Sequence, residues 1–310
     1  MTRALGWSNL TWMSVSKVVI VRGKGVLPRK GEVDSKILSR MYDRGVRLLT
    51  GQNDIKEGLR SIFSPSDRVG IKVNTIAAPE LTTPPDVSLP FARLLTAIGI
   101  PEKNIVVWDR TNRELKEAKY RLNIDGSSFQ IMGTDTAGAG YPDEPLIHLN
   151  IGSLFSTIQS SLITASVSFA ILKDHGMAGI TAGMKNYFGV IHNPNKYHDD
   201  GCNPFVAELF DTPPIKGKHR LTILDALVVQ YHRGPSYHPR WAETCETLIF
   251  STDPVAADST GWQIVEKLRK EKSLPSLEED KRLPLYIQTA ERMGLGKANP
   301  ADIQVIEEAV

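Results

Sequence analysis

The segment from residue 170 to residue 203 carries the densest group of side chains that could do chemistry. In it an apolar run is followed at once by Lys173, Asp174 and His175, and Lys185 comes later among several glycines. Histidine moves protons near neutral pH, lysine supplies charge to a phosphate or carboxylate, and glycine lets backbone approach a ligand closely. This mixture predicts a site for a small anionic molecule, in which His175 is the general acid or base and the two lysines hold the anion.

Polar side chains also stand at or near the ends of other predicted strands. Strands are predicted over 68–76, 104–108 and 220–224, and in parallel sheets ligands bind beyond the carboxyl ends of the strands. Asp174 or Asp109 is expected to orient His175. The remaining wall of the predicted substrate site consists of Lys72, Asn74, Asp109, Arg110 and Asn186, with Asp225 behind them.

Two other functions stay open at this point. A metal-dependent redox protein could draw its ligands from His175, His192, His198 and Asp199, although their spacing matches no established metal motif. A non-catalytic protein could use the same cleft only to bind its ligand. The mixture of lysine and histidine favours an enzyme of the proton- or hydride-transfer type. The cofactor stays unknown, and the two cysteines are too few to hold an iron–sulfur cluster.

The distribution of strands and helices predicts an α/β fold, with one or more mostly parallel or mixed sheets flanked by helices and possibly two α/β halves. Short β-branched runs alternate with helical patterns, among them a helix over 34–50 capped by Asp34 or Ser35 and ended by Gly51. The apolar run over 166–172 is predicted as a strand. Residues 1–16 are expected to form a loose N-terminal arm, and 17–306 one α/β domain with a possible subdivision near residue 150.

Composition limits the classes of partner. Among 310 residues, 37 Lys and Arg nearly balance 35 Asp and Glu, so nothing indicates a nucleic-acid surface. No stretch approaches the length of apolar sequence that a membrane span needs, and a soluble protein is expected. Its compartment, either the cytoplasm or the outside as an exported mature form, stays open, as does its oligomeric state. Walker A, GxGxxG and GxSxG motifs are absent.

Five pieces of the chain together resemble the DUF362 family of bacterial and archaeal proteins. They are, in the family's order, Val69–Asn74 (VGIKVN), Leu172–Gly189 (LKDHGMAGITAGMKNYFG), Asn193–His198 (NPNKYH), Thr222–Ala226 (TILDA) and Thr252–Ala257 (TDPVAA). The resemblance extends over nearly the whole chain, but it implies no reaction, because the family's chemistry is unassigned. Many members carry a ferredoxin-like module or a twin-arginine export signal. This chain has too few cysteines for the first and no Arg-Arg pair near its start for the second.

A fainter similarity links Ala178–Gly189 to the Gly-Gly-x-Lys turn of nickel-pincer lactate racemases. Here Ala182 replaces the second small residue of that turn, and Asn186 follows the lysine. Because these positions differ, the similarity is an analogy and implies no activity.

Overall fold

The computed structural model describes residues 15–310 of the chain. The predicted N-terminal arm, 1–16, lies outside the described residues except for its last two, and Ser16 already belongs to the first strand. Within the described range the strands are β1 (Ser16–Arg22), β2 (Val69–Lys72), β3 (Ile105–Asp109), β4 (Gln130–Gly133), β5 (Leu146–His148), β6 (Ile151–Ser153), β7 (Ala165–His175), β8 (Gly179–Thr181), β9 (His219–Gln230), β10 (Ala242–Ser251) and β11 (Ile303–Ala309).

Nine of these strands form one mixed, mostly parallel sheet in the order β11-β1-β10-β9-β7-β2-β3-β4, with β8 added to β7. Along this order only β10 runs antiparallel to its neighbours, and β8 runs antiparallel to β7. Strands from both halves of the chain belong to this sheet, and β1 from the first half lies between β10 and β11 from the second. The predicted α/β class with a mostly parallel or mixed sheet is confirmed, and the two halves share one sheet. β5 and β6 form a separate hairpin.

Helices cover both faces of the sheet. Their bounds are α1 (Ser35–Thr50), α2 (Ile55–Ile62), α3 (Pro85–Thr96), α4 (Asn112–Glu117), α5 (Phe205–Phe210), α6 (Pro213–Lys216), α7 (Pro254–Glu271) and α8 (Leu285–Arg292). Each face has its own apolar core, one built with α1 to α4 and the other with α5 to α8. No helix in the described part of the chain combines the length and the apolarity that a membrane crossing requires.

The ends of α1 show how local sequence sets the boundaries of an element. The side chain of Asp34 accepts hydrogen bonds from the backbone N–H groups of Lys36 and Ile37, and Gly51 adopts a left-handed conformation with φ of 73°. A carboxylate satisfies the free N–H groups of the first turn, and glycine adopts a positive φ without a steric penalty. The predicted cap and stop of this helix are both present.

Candidate functional site

A cleft of about 360 Å³ opens at the carboxyl ends of the neighbouring strands β2, β3 and β7. Such an edge is where ligands bind in parallel sheets. Polar and charged side chains line part of it, namely Lys72, Asn74, Asp109, Arg110, Glu114, His175, Thr181, Lys185, Asn186, Asn195 and His198. The apolar part of the lining comes from Ile76, Met177, Phe188, Pro194 and Pro235. Residues from both halves of the chain therefore meet in one cleft.

Strand β7 runs three residues further than the sequence pattern indicated. It continues through Lys173 and Asp174 to His175, because the short strand β8 turns back and pairs with this end in antiparallel fashion. Lys173 stands opposite Thr181, a residue of the cleft wall. Since alternate residues of a strand share a face, Lys173 and His175 lie on the same face of β7 and Asp174 lies on the other.

The imidazole of His175 is held as a neutral hydrogen-bond donor. Its Nδ1 accepts hydrogen bonds from the backbone N–H groups of Met177 at 3.3 Å and Ala178 at 3.1 Å, so the ring proton is on Nε2. Burial and then the charge of Lys185 lower the pKa of His175 to about 2. At neutral pH the His175 ring is therefore neutral and offers its Nε2–H as a hydrogen-bond donor to the cleft, and its predicted acid–base role stays a prediction.

Lys185 and His198 form a contact pair in the cleft wall. The Nδ1 of His198 donates to the carbonyl of Pro194 at 2.9 Å, which leaves its Nε2 as an acceptor 3.3 Å from the Lys185 Nζ. The Lys185 Nζ also lies 4.3 Å from the ring centroid of Phe188. Burial lowers the pKa of Lys185 to about 8. The ring of His198 stacks on that of His175 with a centroid distance of 5.7 Å. His198 therefore contacts both Lys185 and His175.

Lys173 is a fully buried lysine without a counter-ion. Within residues 15–310 its Nζ has no hydrogen-bond partner, and neither has the buried Oδ1 of Asn74 in the cleft wall. Burial and then the charge of Lys185 lower the pKa of Lys173 to about 7. Buried polar groups without partners are rare in folded proteins and require an explanation. A ligand in the cleft could bond to Asn74, which lines it. Lys173 is not among the lining residues, so a ligand there would act on its amine through charge and not through contact.

Lys72 and Asp109 form the fixed floor of the cleft. Their Nζ and Oδ1 atoms are 2.6 Å apart, and both side chains are almost completely buried. The second carboxylate oxygen of Asp109 accepts from the N–H and hydroxyl of Thr75, and the Lys72 Nζ also contacts the Oδ1 of Asn186 at 3.3 Å. A Cβ atom at Gly189 would lie 2.9 Å from the Lys72 Nζ, so a side chain at this position would displace the amine of the pair. These charges neutralise each other.

Arg110 directly follows Asp109 in the chain and lines the same cleft. Its backbone N–H donates to the Oδ1 of Asp109 at 2.7 Å, and its side chain is half-buried. The amide of Asn186 donates to the carbonyl of Lys72 at 2.8 Å and to the hydroxyl of Ser168 at 3.1 Å. Arg110 therefore brings a charged side chain to the cleft wall, whereas the Asn186 side chain is bonded to the backbone of Lys72 and to Ser168.

Asp174 and Asp225, which the sequence analysis grouped with the site, are not among the residues that line the cleft. Asp174 accepts from Arg282 at 2.9 Å and from the backbone N–H of Gly234 at 2.8 Å, and Arg269 lies 3.7 Å away. Arg282 also donates to the carbonyl of His175 at 3.2 Å. Asp174 and the two arginines therefore fix the end of β7 on the face opposite to Lys173 and His175. Neither Asp174 nor Asp109 contacts the His175 ring.

Asp225 lies inside β9, where it stands opposite Ile171 of β7 and Leu248 of β10. It is not at a strand end, because β9 continues for five residues beyond it to Gln230. Its Oδ1 accepts from the backbone N–H of Leu227 at 3.1 Å, and burial raises its pKa to about 7. Asp225 does not line the cleft, so it could affect a bound ligand only through the residues that lie between them.

The loop around Gly234 is expected to be sensitive to a single added methyl group. A Cβ at this position would lie 1.8 Å from the carbonyl oxygen of Asp174, and the next residue, Pro235, is part of the cleft wall. We expect Gly234→Ala to lower the free energy of unfolding by about 1–3 kcal/mol, as overpacking does, and to weaken ligand binding. Urea unfolding checks this. Gly152→Ala is the control, since nothing lies within 4 Å of its added Cβ; an equal, small effect of both variants would contradict the expectation.

The proposed metal ligands do not converge. His192 contacts Ser153 and packs its ring against Tyr141, while His198 lies beside Lys185. Asp199 is exposed and is not part of the cleft wall. Among residues 15–310, no group of three or more histidine, cysteine, aspartate or glutamate side chains could hold a metal ion. The geometry gives these three residues no shared site.

Some residues of the cleft were missed from the sequence. Phe188, Pro235, Thr181 and Glu114 line it, and burial raises the pKa of Glu114. Phe188 could have been found, because it is close to Lys185 inside the glycine-rich segment. The other three lie in segments whose sequence carries no distinct signal. Arg282, which supports β7 without lining the cleft, could not be found either, because it is 107 residues away from His175 in the chain.

Comparisons with known proteins support the motif-based resemblance. Residues 69–263, more than half of the chain, match the family described as a domain of unknown function, DUF362. No curated protein matches the sequence. Among solved structures, a crystal structure of a Thermotoga maritima protein from the Northeast Structural Genomics Consortium is similar, with a TM-score of 0.41 and 10% identity. The match covers 78% of this chain and 60% of that chain, so this chain spans less than two thirds of the length of the Thermotoga maritima protein. The chain belongs to the DUF362 family.

Proposed function

We propose that this protein is an enzyme that binds a small anionic substrate in the cleft and moves a proton with a lysine amine. The observation that carries the proposal is a pair of buried lysines at this edge of the sheet, Lys173 and Lys185, for which the described part of the chain supplies no carboxylate partner. A buried ammonium without a counter-ion is costly, and it is retained where it has a task.

The charge around the cleft supports an anion as the ligand. Lys72 is neutralised by Asp109, with which it forms an ion pair, whereas within residues 15–310 no carboxylate forms an ion pair with Lys173, Lys185 or the half-buried Arg110. An anion that enters between them would gain two or three favourable charge interactions in a site shielded from water. The N–H of His175 would add one neutral hydrogen bond.

The titration of the two lysines supports proton transfer. An amine serves as an acid or base best when its pKa is close to the working pH. The pKa of Lys173 is about 7 and that of Lys185 is about 8, because burial disfavours their charged forms. Both amines therefore exchange protons near neutrality, whereas His175 stays neutral. In this proposal lysine takes the acid–base role and His175 polarises the substrate.

The mouth of the cleft supports a substrate that also has an apolar part. Ile76 and Met177 are 60% and 46% exposed and line the opening, together with the exposed Pro235, and the buried Phe188 lines it further in. Exposed apolar residues grouped at a cleft commonly contact a ligand. A small organic anion fits this lining better than an inorganic one.

The lowered pKa of Lys173 predicts how stability depends on pH. Between pH 7 and the ordinary lysine value of 10.5, the unfolded chain carries a proton on this residue that the folded protein lacks. Stability of the ligand-free protein should therefore rise with pH over this range, by up to about 1.4 kcal/mol per pH unit from Lys173. Lys173→Met should remove that part of the slope in urea unfolding measured from pH 7 to pH 9.5. The exposed Lys196→Met is the control; equal slopes for Lys173→Met and the unmodified protein would contradict the shift.

A ligand and turnover screen tests the proposed function. The protein is incubated with small carboxylates, phosphate esters and their neutral amides or alcohols, with binding followed by thermal shift and products by mass spectrometry. We expect anions to bind in preference to their neutral counterparts, and at least one to be converted. Conversion of none, with anions recovered unchanged, would support a ligand-binding protein instead. Equal binding of neutral and anionic compounds would contradict the proposal.

A further inference from the structure

Lys185, His198 and the Pro194 carbonyl are arranged in a chain that activates a nucleophile. The carbonyl of Pro194 fixes the proton of His198 on Nδ1, and the free Nε2 lies 3.3 Å from the Lys185 Nζ. A nucleophile, a base within hydrogen-bond reach and a third group that orients the base are the three parts of nucleophilic catalysis by a side chain. The unprotonated ring of His198 can accept a proton from the amine.

We propose that Lys185 attacks a carbonyl group of the substrate and forms an imine with it, so that the substrate class is a small organic anion with a ketone or aldehyde. This inference rests on the proposed function, because it requires an anion bound in the same cleft. Two other groups are placed to assist. The Nε2–H of His175, whose ring stacks on that of His198, would donate to the carbonyl oxygen, and Lys173 would provide positive charge for the anionic group.

The step balances without any further reactant. The lone pair of the Lys185 Nζ forms a bond to the carbonyl carbon while a proton passes from Nζ to the Nε2 of His198, and the carbonyl oxygen, polarised by His175, becomes a hydroxyl when it takes a proton from solvent. The hydroxyl then leaves as water with the proton that His198 returns. The products are one water and one protonated imine, whose positive charge accounts for the proton taken from solvent, and there is no change in oxidation state.

Accessibility distinguishes Lys185 from Lys173 as the attacking residue. Lys185 lines the cleft, whereas Lys173 is completely buried and is not part of the lining. A substrate of the size of the cleft can reach the first amine without any movement of the protein. Phe188, whose ring centroid lies 4.3 Å from the Lys185 Nζ, covers one side of that amine.

Reductive trapping tests the inference. The whole chain is incubated at pH 7.5 with glyoxylate, which combines a carboxylate and an aldehyde in the smallest possible molecule, together with cyanoborohydride. Modified lysines are then identified by peptide mass spectrometry over time. We expect Lys185 to be modified at least about tenfold faster than exposed lysines such as Lys196, because far more of it is neutral at this pH. Labelling of Lys185 no faster than of Lys196 would overturn the proposal.

Two variants separate the parts of the inference. His198→Phe keeps an aromatic ring against His175 and Phe188 but removes the acceptor, and it should slow the labelling of Lys185 at least about fivefold while Lys196 is unchanged. Unchanged labelling of Lys185 in this variant would overturn the role of His198 as base. If Lys185→Arg still binds anions in the screen while Lys185 of the unmodified protein is not trapped, the imine is contradicted and the anion site stands. If the unmodified protein neither binds anions in the screen nor is trapped at Lys185, the proposed function and the imine are both contradicted.

Discussion

Replacing Lys185 with methionine is expected to lower kcat/KM about 100-fold or more for whichever anion the screen shows to be converted. The substitution removes the amine that lies 3.3 Å from His198 and keeps a similar apolar stem beside Phe188. Loss of a positioned acid, base or nucleophile typically costs 10²–10⁴-fold in rate. Steady-state kinetics on the purified variant, with its fold checked by circular dichroism, measures this effect.

Lys185→Arg and Lys196→Met are the controls for this prediction. Arginine keeps the charge and cannot serve as an amine, so binding should fall at most about tenfold while turnover is lost. Lys196 is exposed, and its loss should change neither quantity. Turnover by Lys185→Met within a factor of three of the unmodified protein would remove Lys185 from the mechanism.

Replacing Lys72 with methionine is expected to have the largest effect on stability. It leaves the carboxylate of Asp109 almost completely buried without its ion-pair partner at 2.6 Å. Breaking a buried ion pair from one side typically costs about 3–5 kcal/mol, since the remaining charge is desolvated and uncompensated. Urea unfolding at pH 7.5 should show a free energy of unfolding lowered by about that amount.

A second substitution separates the charge of Asp109 from the packing of Lys72. In the Lys72→Met background, Asp109→Asn removes the unpaired charge while keeping a side chain that can accept from Thr75, and it should recover part of the lost stability. The single variant Arg113→Met, which removes the mostly exposed ion-pair partner of Glu117, should cost less than about 1 kcal/mol. A loss for Lys72→Met as small as that would contradict the structural role of the pair.

The boundaries of regular elements follow from local sequence where caps are present. Asp34 and Gly51 delimit α1 because a carboxylate and a positive-φ glycine satisfy the helix ends with no help from distant residues. The alternation of strands and helices likewise indicates the α/β class. What the local pattern does not contain is the order of strands, because β1 is placed between β10 and β11 by contacts with the far end of the chain.

The membership of the cleft is predictable only in part. Lys72, Asn74, Asp109 and Arg110 follow from the rule that parallel strand ends share an edge, and the structure brings them together with His175 and Lys185. The sequence places Asp174 at the cleft because the polar residues that follow the apolar run resemble a loop after a strand. The pairing of β8 keeps this run extended, so alternation turns Asp174 away from His175.

The contacts that decide the chemistry lie beyond sequence reasoning. The tautomers of His175 and His198 depend on single backbone groups of Met177, Ala178 and Pro194, and no pattern of residue types specifies those distances. The absence of a partner for the Lys173 Nζ is likewise a property of the packed interior. In the proposed function these contacts are the reason that lysine, and not His175, takes the acid–base role.

Anomalous diffraction from a crystal soaked in bromide tests most directly whether the cleft is an anion site. Bromide reports positive potential without requiring that the substrate be known. We expect a bromide peak in the cleft, within contact distance of the Lys185 Nζ and close to Lys173, that is lost in a Lys185→Met crystal. Bromide bound only at exposed lysines and arginines, with none in the cleft of the unmodified protein, would contradict the account.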